Sequence, residues 1–183
     1  VDSGVNLVVE LPLFYAVSSA EIFAAGAVAT LNALNASFIS FGCENADIQM
    51  LKKIAITLVN EPDEYKKHLK KALTCGDSFP TARAKALSEF FKSDDISRLI
   101  SSPNNILAIE YIKEIIKSES AVTPVALTRK ISGYHDSEIH ENIASASAIR
   151  KILHDSGIHK NNDSRCKNIK ELQNVMPEAI KYH

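Results

Sequence analysis

The sequence predicts a doubly wound α/β fold with a parallel sheet, and three observations support this prediction. Two short apolar segments end at Pro12 and Gly42, and a helical pattern lies between them, so the chain begins strand, helix, strand. A third short apolar segment, residues 123–128, follows a long helical stretch. Strands that alternate with helices in this way are typical of parallel sheets covered by helices.

Length and composition are those of one globular domain. The chain has 183 residues, 45% hydrophobic and 23% charged, which excludes a disordered or collagen-like protein. Glu10 and Glu21 interrupt the most apolar region, so no run approaches the roughly 18 residues of a membrane span, and we expect no membrane partner. The three cysteines form no CxxC pair, which favours a reducing, cytoplasmic compartment.

The first elements form the predicted crossover. Residues 4–12 are a short apolar run rich in β-branched residues, which predicts a buried strand. Ser18 and Glu21 have the spacing of a capping box, so we expect a helix from there to Leu34. Residues 37–42 alternate and end at Gly42, which predicts a second strand. Ligands of such sheets bind beyond the carboxyl ends of the strands, so Gly42 borders the predicted crevice.

The rest of the chain is mainly helical. Helices are predicted over 47–59, 62–74 and 80–91, and we interpret this stretch as a helical insertion. An amphipathic helix over 106–113 leads to the third predicted strand, 123–128. A polar loop is expected over 133–142, and short helices are expected over 145–154 and 168–175.

Charge is unevenly distributed along the chain. Residues 1–64 hold eight acidic and two basic residues, a net charge of −6, and the remainder has a net charge of +5. An acidic front and a basic rear are compatible with a polyanionic partner for the rear. An ordinary solvated mixture of signs is the alternative, and charge alone favours it.

The segment most informative about chemistry is 145–150. Ser145, Ser147 and Arg150 fall in the first turns of a predicted helix, where free N–H groups and the helix dipole attract anions. An arginine at this point can bind a phosphate through two parallel hydrogen bonds. Taken alone, the same pattern is also typical of a helix cap followed by a surface arginine.

Other polar groups stand beside predicted elements. Asn104 and Asn105 precede a helix, where their amides can cap the helix or contact a base or ribose. Arg129 follows the third strand, so we expect it at the mouth of the crevice, with plain surface charge as the alternative. His135 and His140 lack the spacing and the third ligand that zinc requires, so no metal site is predicted.

Several short runs occur in a recognisable order, including NLVVELP, SSAE, FGCE, SPNNIL, GYHD and ASASAIR. With this order and spacing, the chain resembles the tRNA(Met) cytidine acetate ligases, bacterial enzymes of the nucleotidyltransferase superfamily. The resemblance extends over nearly the whole chain. It implies a Rossmann-like nucleotidyltransferase fold with a parallel sheet and a helical insertion.

The resemblance also implies an activity. Such a ligase activates acetate with ATP, forming acetyl-adenylate and pyrophosphate, and transfers the acetyl group to N4 of the wobble cytidine of elongator tRNA(Met). ATP is then a substrate, and Mg²⁺ is expected to accompany it. Two alternatives stay open: an adenylyltransferase that makes a small metabolite, and a non-catalytic fragment that binds tRNA.

Roles for individual residues follow from the resemblance. His135 and Arg150 are the implied catalytic residues: Arg150 would stabilise charge as pyrophosphate leaves, and His135 would help to deprotonate the cytidine amine. The implied ATP-binding residues are Gly42, Asn104, Asn105, Arg129, Ser145, Ser147 and Arg150.

The sequence departs from the family pattern in three places. Cys43 stands where the family has serine, and Ile131-Ser132 replaces a smaller pair that contains glycine. No H-x-G-H motif occurs, so we expect a chain that lacks the first strand and is inactive alone. On this interpretation, residues 1–158 are the later part of the catalytic domain, with the insertion at about 46–100, and residues 159–183 begin a helical region.

Overall fold

The computed structural model describes residues 4–129, 139–140, 143–144, 150–151 and 154. The chain divides into two compact units: Glu10–Arg129, here called the larger unit, and a second unit made of Val1–Val9 with Lys130–His183. In the second unit, Ile139–His140 and Ile143–Ala144 form a short antiparallel pair. The predicted boundary at residue 158 stays a prediction.

The larger unit contains seven helices and two strands. In chain order they are α1 (Leu13–Ala16), α2 (Ala20–Ala33), β1 (Phe38–Cys43), α3 (Ile48–Asn60), α4 (Asp63–Thr74), α5 (Phe79–Phe91), α6 (Asp95–Leu99), α7 (Pro103–Lys117) and β2 (Thr123–Thr128). The predicted helices of the middle region are therefore present as α3, α4 and α5, each within one residue of its expected start. The helix predicted at 106–113 is longer and begins at Pro103.

The two strands form a parallel sheet. Phe38 lies opposite Thr123, and the register continues to Cys43 opposite Thr128. Parallel strands need a long crossover connection, which helices α3 to α7 supply here. Both strands were expected from the sequence, and the α/β class with a parallel sheet is confirmed.

The strand predicted at residues 4–12 is wrong. No strand is assigned there, and its apolar side chains are open to solvent: Val8 is 72% exposed and Leu7 is 62% exposed. The apolar run satisfied the sequence pattern of a buried strand. A strand also needs a neighbour to pair its backbone groups, and none pairs with these residues in the part of the chain described.

The capping box predicted at Ser18 is also wrong. Helix α2 begins one residue later, with Ser19 as its N-cap and no side-chain capping bond. The Ser18 hydroxyl instead donates to the Phe14 carbonyl oxygen of the preceding turn. Glu21, the other half of the expected box, pairs with Lys117 of α7. Long-range ion pairing and the short helix α1 therefore replace the local cap.

Among the described residues, helices pack against one face of the sheet. Ile39, Phe41 and Cys43 are buried, whereas the alternate residues of β1, Gly42 among them, face solvent. The buried face packs in one apolar cluster with side chains of α3 and α7, such as Leu51 and Ile112. Burying each of these large side chains contributes roughly 1.5–3 kcal/mol. This packing fixes the position of β1 relative to α7. It therefore also fixes where the loop after β1 begins and where the loop before α7 ends.

Candidate functional site

The carboxyl ends of β1 and β2 bring Gly42 and Arg129 together. The Arg129 N–H donates to the Cys43 carbonyl oxygen at 3.0 Å, which extends the pairing one residue past β2. A methyl group added to Gly42 would lie 3.2 Å from Cγ of Arg129. The aliphatic part of Arg129 therefore lies against the open surface of Gly42, and the arginine is exposed at the edge of the sheet.

Glu44 joins this edge to the start of α7. One carboxylate oxygen accepts from Nδ2 of Asn104 at 2.7 Å, and the other accepts from the Asn105 N–H at 3.1 Å. The first N–H groups of a helix have no partner within the helix, and a negative charge there is favoured by the helix dipole. Glu44 therefore caps α7, whose formal N-cap, Ser102, makes no side-chain capping bond.

Asn105 holds the loop after β1 from the opposite direction. Its Oδ1 accepts from the backbone N–H groups of Glu44 and Asn45 at 3.1 and 3.2 Å, and its Nδ2 donates to the Leu99 carbonyl at 3.0 Å. The residue is 1% exposed. Both lone pairs of the amide oxygen and one amide hydrogen are thus used inside the protein. Asn104, by contrast, is half-buried.

Cys43 has a structural environment. It is fully buried, and its Sγ donates to the Leu127 carbonyl oxygen across the sheet at 3.8 Å. Burial raises the pKa of the Cys43 thiol, and the neighbouring Glu44 carboxylate adds to the increase. A thiol kept protonated in this way is a poor nucleophile.

A second polar network lies in the middle of α7. Glu110, which is 4% exposed, accepts from Nη2 of Arg83 at 3.0 Å and from Nζ of Lys113 at 2.5 Å. Lys113 also lies 3.6 Å from a carboxylate oxygen of Glu21, which pairs with Lys117 at 3.0 Å. These ion pairs connect α2, α5 and α7.

The structure brings together some of the predicted site residues. Gly42 and Arg129 are in contact, and Asn104 and Asn105 are tied to the same edge by Glu44. Arg150 is exposed and has helical backbone. The other three predicted site residues lie outside the described residues: His135, Ser145 and Ser147.

Sequence reasoning gave no role to Glu44. Its position directly after β1 was visible in the sequence. Its partners are 60 and 61 residues away, however, and no local pattern indicates such a contact. Within the residues that the structure describes, no three His, Cys, Asp or Glu side chains are grouped to hold a metal ion. No helix in that same part of the chain is long and apolar enough to cross a membrane.

A family model identifies the class of protein. The model described as HIGH Nucleotidyl Transferase matches residues 1–182. The chain therefore belongs to the HIGH nucleotidyl transferase family.

Two proteins with similar sequences share one name. The chain is 42% identical over 178 residues to the tRNA(Met) cytidine acetate ligase of Clostridium novyi, covering 96% of this chain and 42% of that protein. It is 43% identical over 168 residues to the protein of the same name from Alkaliphilus metalliredigens, covering 86% of this chain and 40% of that protein. The chain spans about two fifths of the length of the curated relatives it matches.

Solved structures share the fold. Apo TmcAL of Thermotoga maritima superimposes with a TM-score of 0.85 and 32% identity, covering 97% of this chain and 40% of that one. TmcAL of the same organism bound with alpha-thio ATP gives a TM-score of 0.80 and 31% identity, covering 97% and 39%. The nucleotidyltransferase-like fold expected from the resemblance is confirmed.

Proposed function

We propose that this chain carries part of the catalytic domain of an ATP-dependent ligase that acetylates elongator tRNA(Met). The observation that carries the proposal is the likeness, over 97% of the chain, to a TmcAL structure bound with alpha-thio ATP. The names of the relatives at 42% and 43% identity support the tRNA substrate. The Gly42–Arg129 edge lies where ligands of parallel sheets bind.

The proposed reaction has two steps. A carboxylate oxygen of acetate attacks the α-phosphorus of ATP, the bond to the bridging oxygen breaks, and pyrophosphate leaves. The N4 amine of the wobble cytidine then attacks the carbonyl carbon of acetyl-adenylate. AMP leaves, and the amine loses one proton. In this scheme His135 receives that proton, and Mg²⁺ accompanies the triphosphate in a cytoplasmic reaction.

The described residues suggest how the nucleotide is held. Gly42 has no side chain on the open face of the sheet, and the aliphatic part of Arg129 lies in the space that one would fill, so glycine lets Arg129 lie close to the edge where we place the nucleotide. Arg129, beside it, can bind an anionic oxygen. Between the two asparagines, Asn104 has the better access, because the Asn105 amide is largely occupied by internal hydrogen bonds.

The triphosphate needs a different anchor from α7. The start of that helix would attract an anion, but the Glu44 carboxylate already accepts the Asn105 N–H there. A phosphate there would be repelled by Glu44. We therefore assign triphosphate binding to Ser145, Ser147 and Arg150, as the resemblance implies.

Acetate-dependent exchange of pyrophosphate into ATP tests the proposal. It should be measured on this chain and on the full-length product of its gene, with the Clostridium novyi ligase as the positive control. Exchange that requires acetate in the full-length product supports the ligase. Exchange with another carboxylate or metabolite alone would support the adenylyltransferase alternative. Salt-sensitive tRNA binding without exchange would support the non-catalytic alternative.

Arg129 gives a sharper test of the site. In the full-length product, R129Q should raise KM for ATP by about tenfold or more, because a hydrogen bond to a charged group contributes roughly 1.5–3 kcal/mol. R98Q is the matched control, since Arg98 is 87% exposed and its one ion pair among the described residues is with Asp95 at 3.6 Å. Equal kinetics for both variants would remove Arg129 from the site.

A further inference from the structure

One face of α4 is a row of lysines. Lys66, Lys67, Lys70 and Lys71 are all exposed. At 100° per residue these four side chains fall on one side of the helix. The opposite side is buried, with Tyr65 at 1% and Ala72 at 8% exposed. The lysine face is therefore the part of α4 that points away from the core.

The four ammonium groups have no partner among the residues that the structure describes. Over the described residues, no ion pair or side-chain hydrogen bond includes any of them. Other basic side chains on the α4–α5 pair have acidic partners: Nδ1 of His68 lies 2.5 Å from Glu89, and Nζ of Lys85 lies 2.8 Å from Asp77. The acidic residues of α4 stand in its first turn. Four adjacent positive charges are thus left for a ligand.

The arrangement places like charges next to each other on α4, and the favourable position of Lys71 in the last turn offsets part of the repulsion. Lys66 and Lys70, like Lys67 and Lys71, are four residues apart, and like charges at this spacing destabilise a helix by about 0.2–0.5 kcal/mol per pair. A face that serves only solubility more commonly mixes the two signs. Clustering of four like charges on one exposed face is consistent with binding of a polyanion.

We propose that the lysine face of α4 binds the phosphate backbone of the tRNA substrate. This inference rests on the proposed function, and it assigns the tRNA-docking surface that the site at the sheet edge does not provide. Lysine ammonium groups bind phosphates as point charges and do not read bases. The contact therefore orients the tRNA without recognising its sequence. The helical stretch between β1 and α7 is then an RNA-binding element.

The experiment compares salt-dependent tRNA binding in matched variants of the full-length product. The test variant is K66Q/K67Q/K70Q/K71Q, because glutamine keeps the helix propensity and removes the charge. The control K52Q/K53Q removes two α3 lysines that likewise have no described ion pair. It is compared with K66Q/K67Q, which removes the same number of charges from α4. Melting temperatures of all variants verify that each one folds.

Each lysine that contacts a phosphate adds roughly 0.7–0.9 to the slope of log K against log salt. We expect the fourfold variant to reduce this slope by about 3 and to weaken tRNA binding at least tenfold near 0.1 M salt. Elongator tRNA(Met) and an unrelated tRNA should lose affinity equally. K66Q/K67Q should lose more than K52Q/K53Q, which keeps the proposal testable if the fourfold variant does not fold.

The outcomes separate this inference from the proposed function. Acetate-dependent exchange needs no tRNA, so it should be unchanged in the fourfold variant. If exchange is present but tRNA binding matches the control, the docking surface is wrong and the ligase stands. If exchange is absent from the unmodified protein, the ligase proposal fails first. Loss of binding to vesicles of anionic lipid, with tRNA binding intact, would also overturn the inference.

Discussion

Two polar networks meet helix α7, and they differ in charge and in exposure. At its start, Glu44 and the two asparagines form a mainly neutral network of backbone and amide groups at the sheet edge. In its middle, Glu110 binds Arg83 and Lys113, and both Glu110 and Lys113 are buried. The first network shapes loops next to the candidate site, whereas the second joins three helices.

The difference shows how the site is supported. Amide groups can satisfy several backbone N–H and C=O groups at once, so Asn105 can hold two loops against α7. Buried charges cannot be left unpaired, so Glu110 imposes one relative placement of α5 and α7. We expect loss of the second network to unfold the unit and loss of the first to alter the nucleotide site.

The largest effect is expected for Glu110. E110A leaves the Lys113 ammonium buried without its nearest carboxylate and should lower the free energy of unfolding by about 3–5 kcal/mol. E114A is the matched control on the same helix, because Glu114 has no described ion pair. Urea denaturation of both variants gives the measurement.

The charge argument has its own check. E110M/K113M removes both members of the closest pair and fills similar volume, so it should be less destabilised than E110A. A double variant as unstable as E110A would mean that packing, and not an uncompensated charge, determines the loss.

The next largest effect is expected for Asn105. N105A leaves the Glu44 and Asn45 N–H groups and the Leu99 carbonyl without their partner, and it should cost about 2–3 kcal/mol. N104A removes one partly exposed hydrogen bond and should cost about 1 kcal/mol or less. Thermal unfolding measures both. Equal losses would show that the Asn105 bonds do not hold the loop.

The elements could largely be predicted from the sequence, because local patterns specify them. Residues 123–128 are a short apolar segment that predicted β2, and Asp47 caps α3 by accepting from Gln49 and Met50, two and three residues away. Residues 4–12 show the limit of this approach. Their apolar pattern matched a strand, but pairing depends on a neighbour that the pattern does not contain.

The site was less predictable for the same physical reason. Gly42 and Arg129 were placed at one edge because parallel strands end together, which topology alone implies. The partners of Glu44 and Glu110 depend on packing between segments that are 27 to 61 residues apart. The sequence also did not indicate that Asn105 holds the loop after β1, because its burial and its internal hydrogen bonds appear only in three dimensions.

A smaller effect is expected for Glu44. E44Q keeps the hydrogen-bond acceptor but removes the negative charge at the start of α7, so the free energy of unfolding should fall by about 0.3–1 kcal/mol. Removing this charge should also ease anion binding at the helix start. We therefore expect ATP to bind E44Q at least as tightly as the unmodified protein in equilibrium dialysis. Markedly weaker ATP binding would show that Glu44 itself serves the nucleotide.

The smallest effect is expected for Glu21, the exposed carboxylate of the second network. The hydrogen bond from Lys117 and the charge of Lys113 lower the pKa of the Glu21 carboxyl below its ordinary value of 4.5. A lowered pKa means that the charged form stabilises the folded state, so this contribution is present at neutral pH. It is lost as pH falls below 4.5 through the folded-state value.

Because Glu21 is 57% exposed, solvent screens the contribution, and E21Q should cost less than about 1 kcal/mol at pH 7. The difference between the unmodified protein and E21Q should shrink toward pH 3 in urea denaturation. It should also shrink at pH 7 in high salt, because an exposed pair is screened there. A difference that stays constant with pH would mean that Glu21 acts through packing against α7 and not through its charge. The contribution of Glu21 would then resemble that of the mainly neutral network at the start of α7.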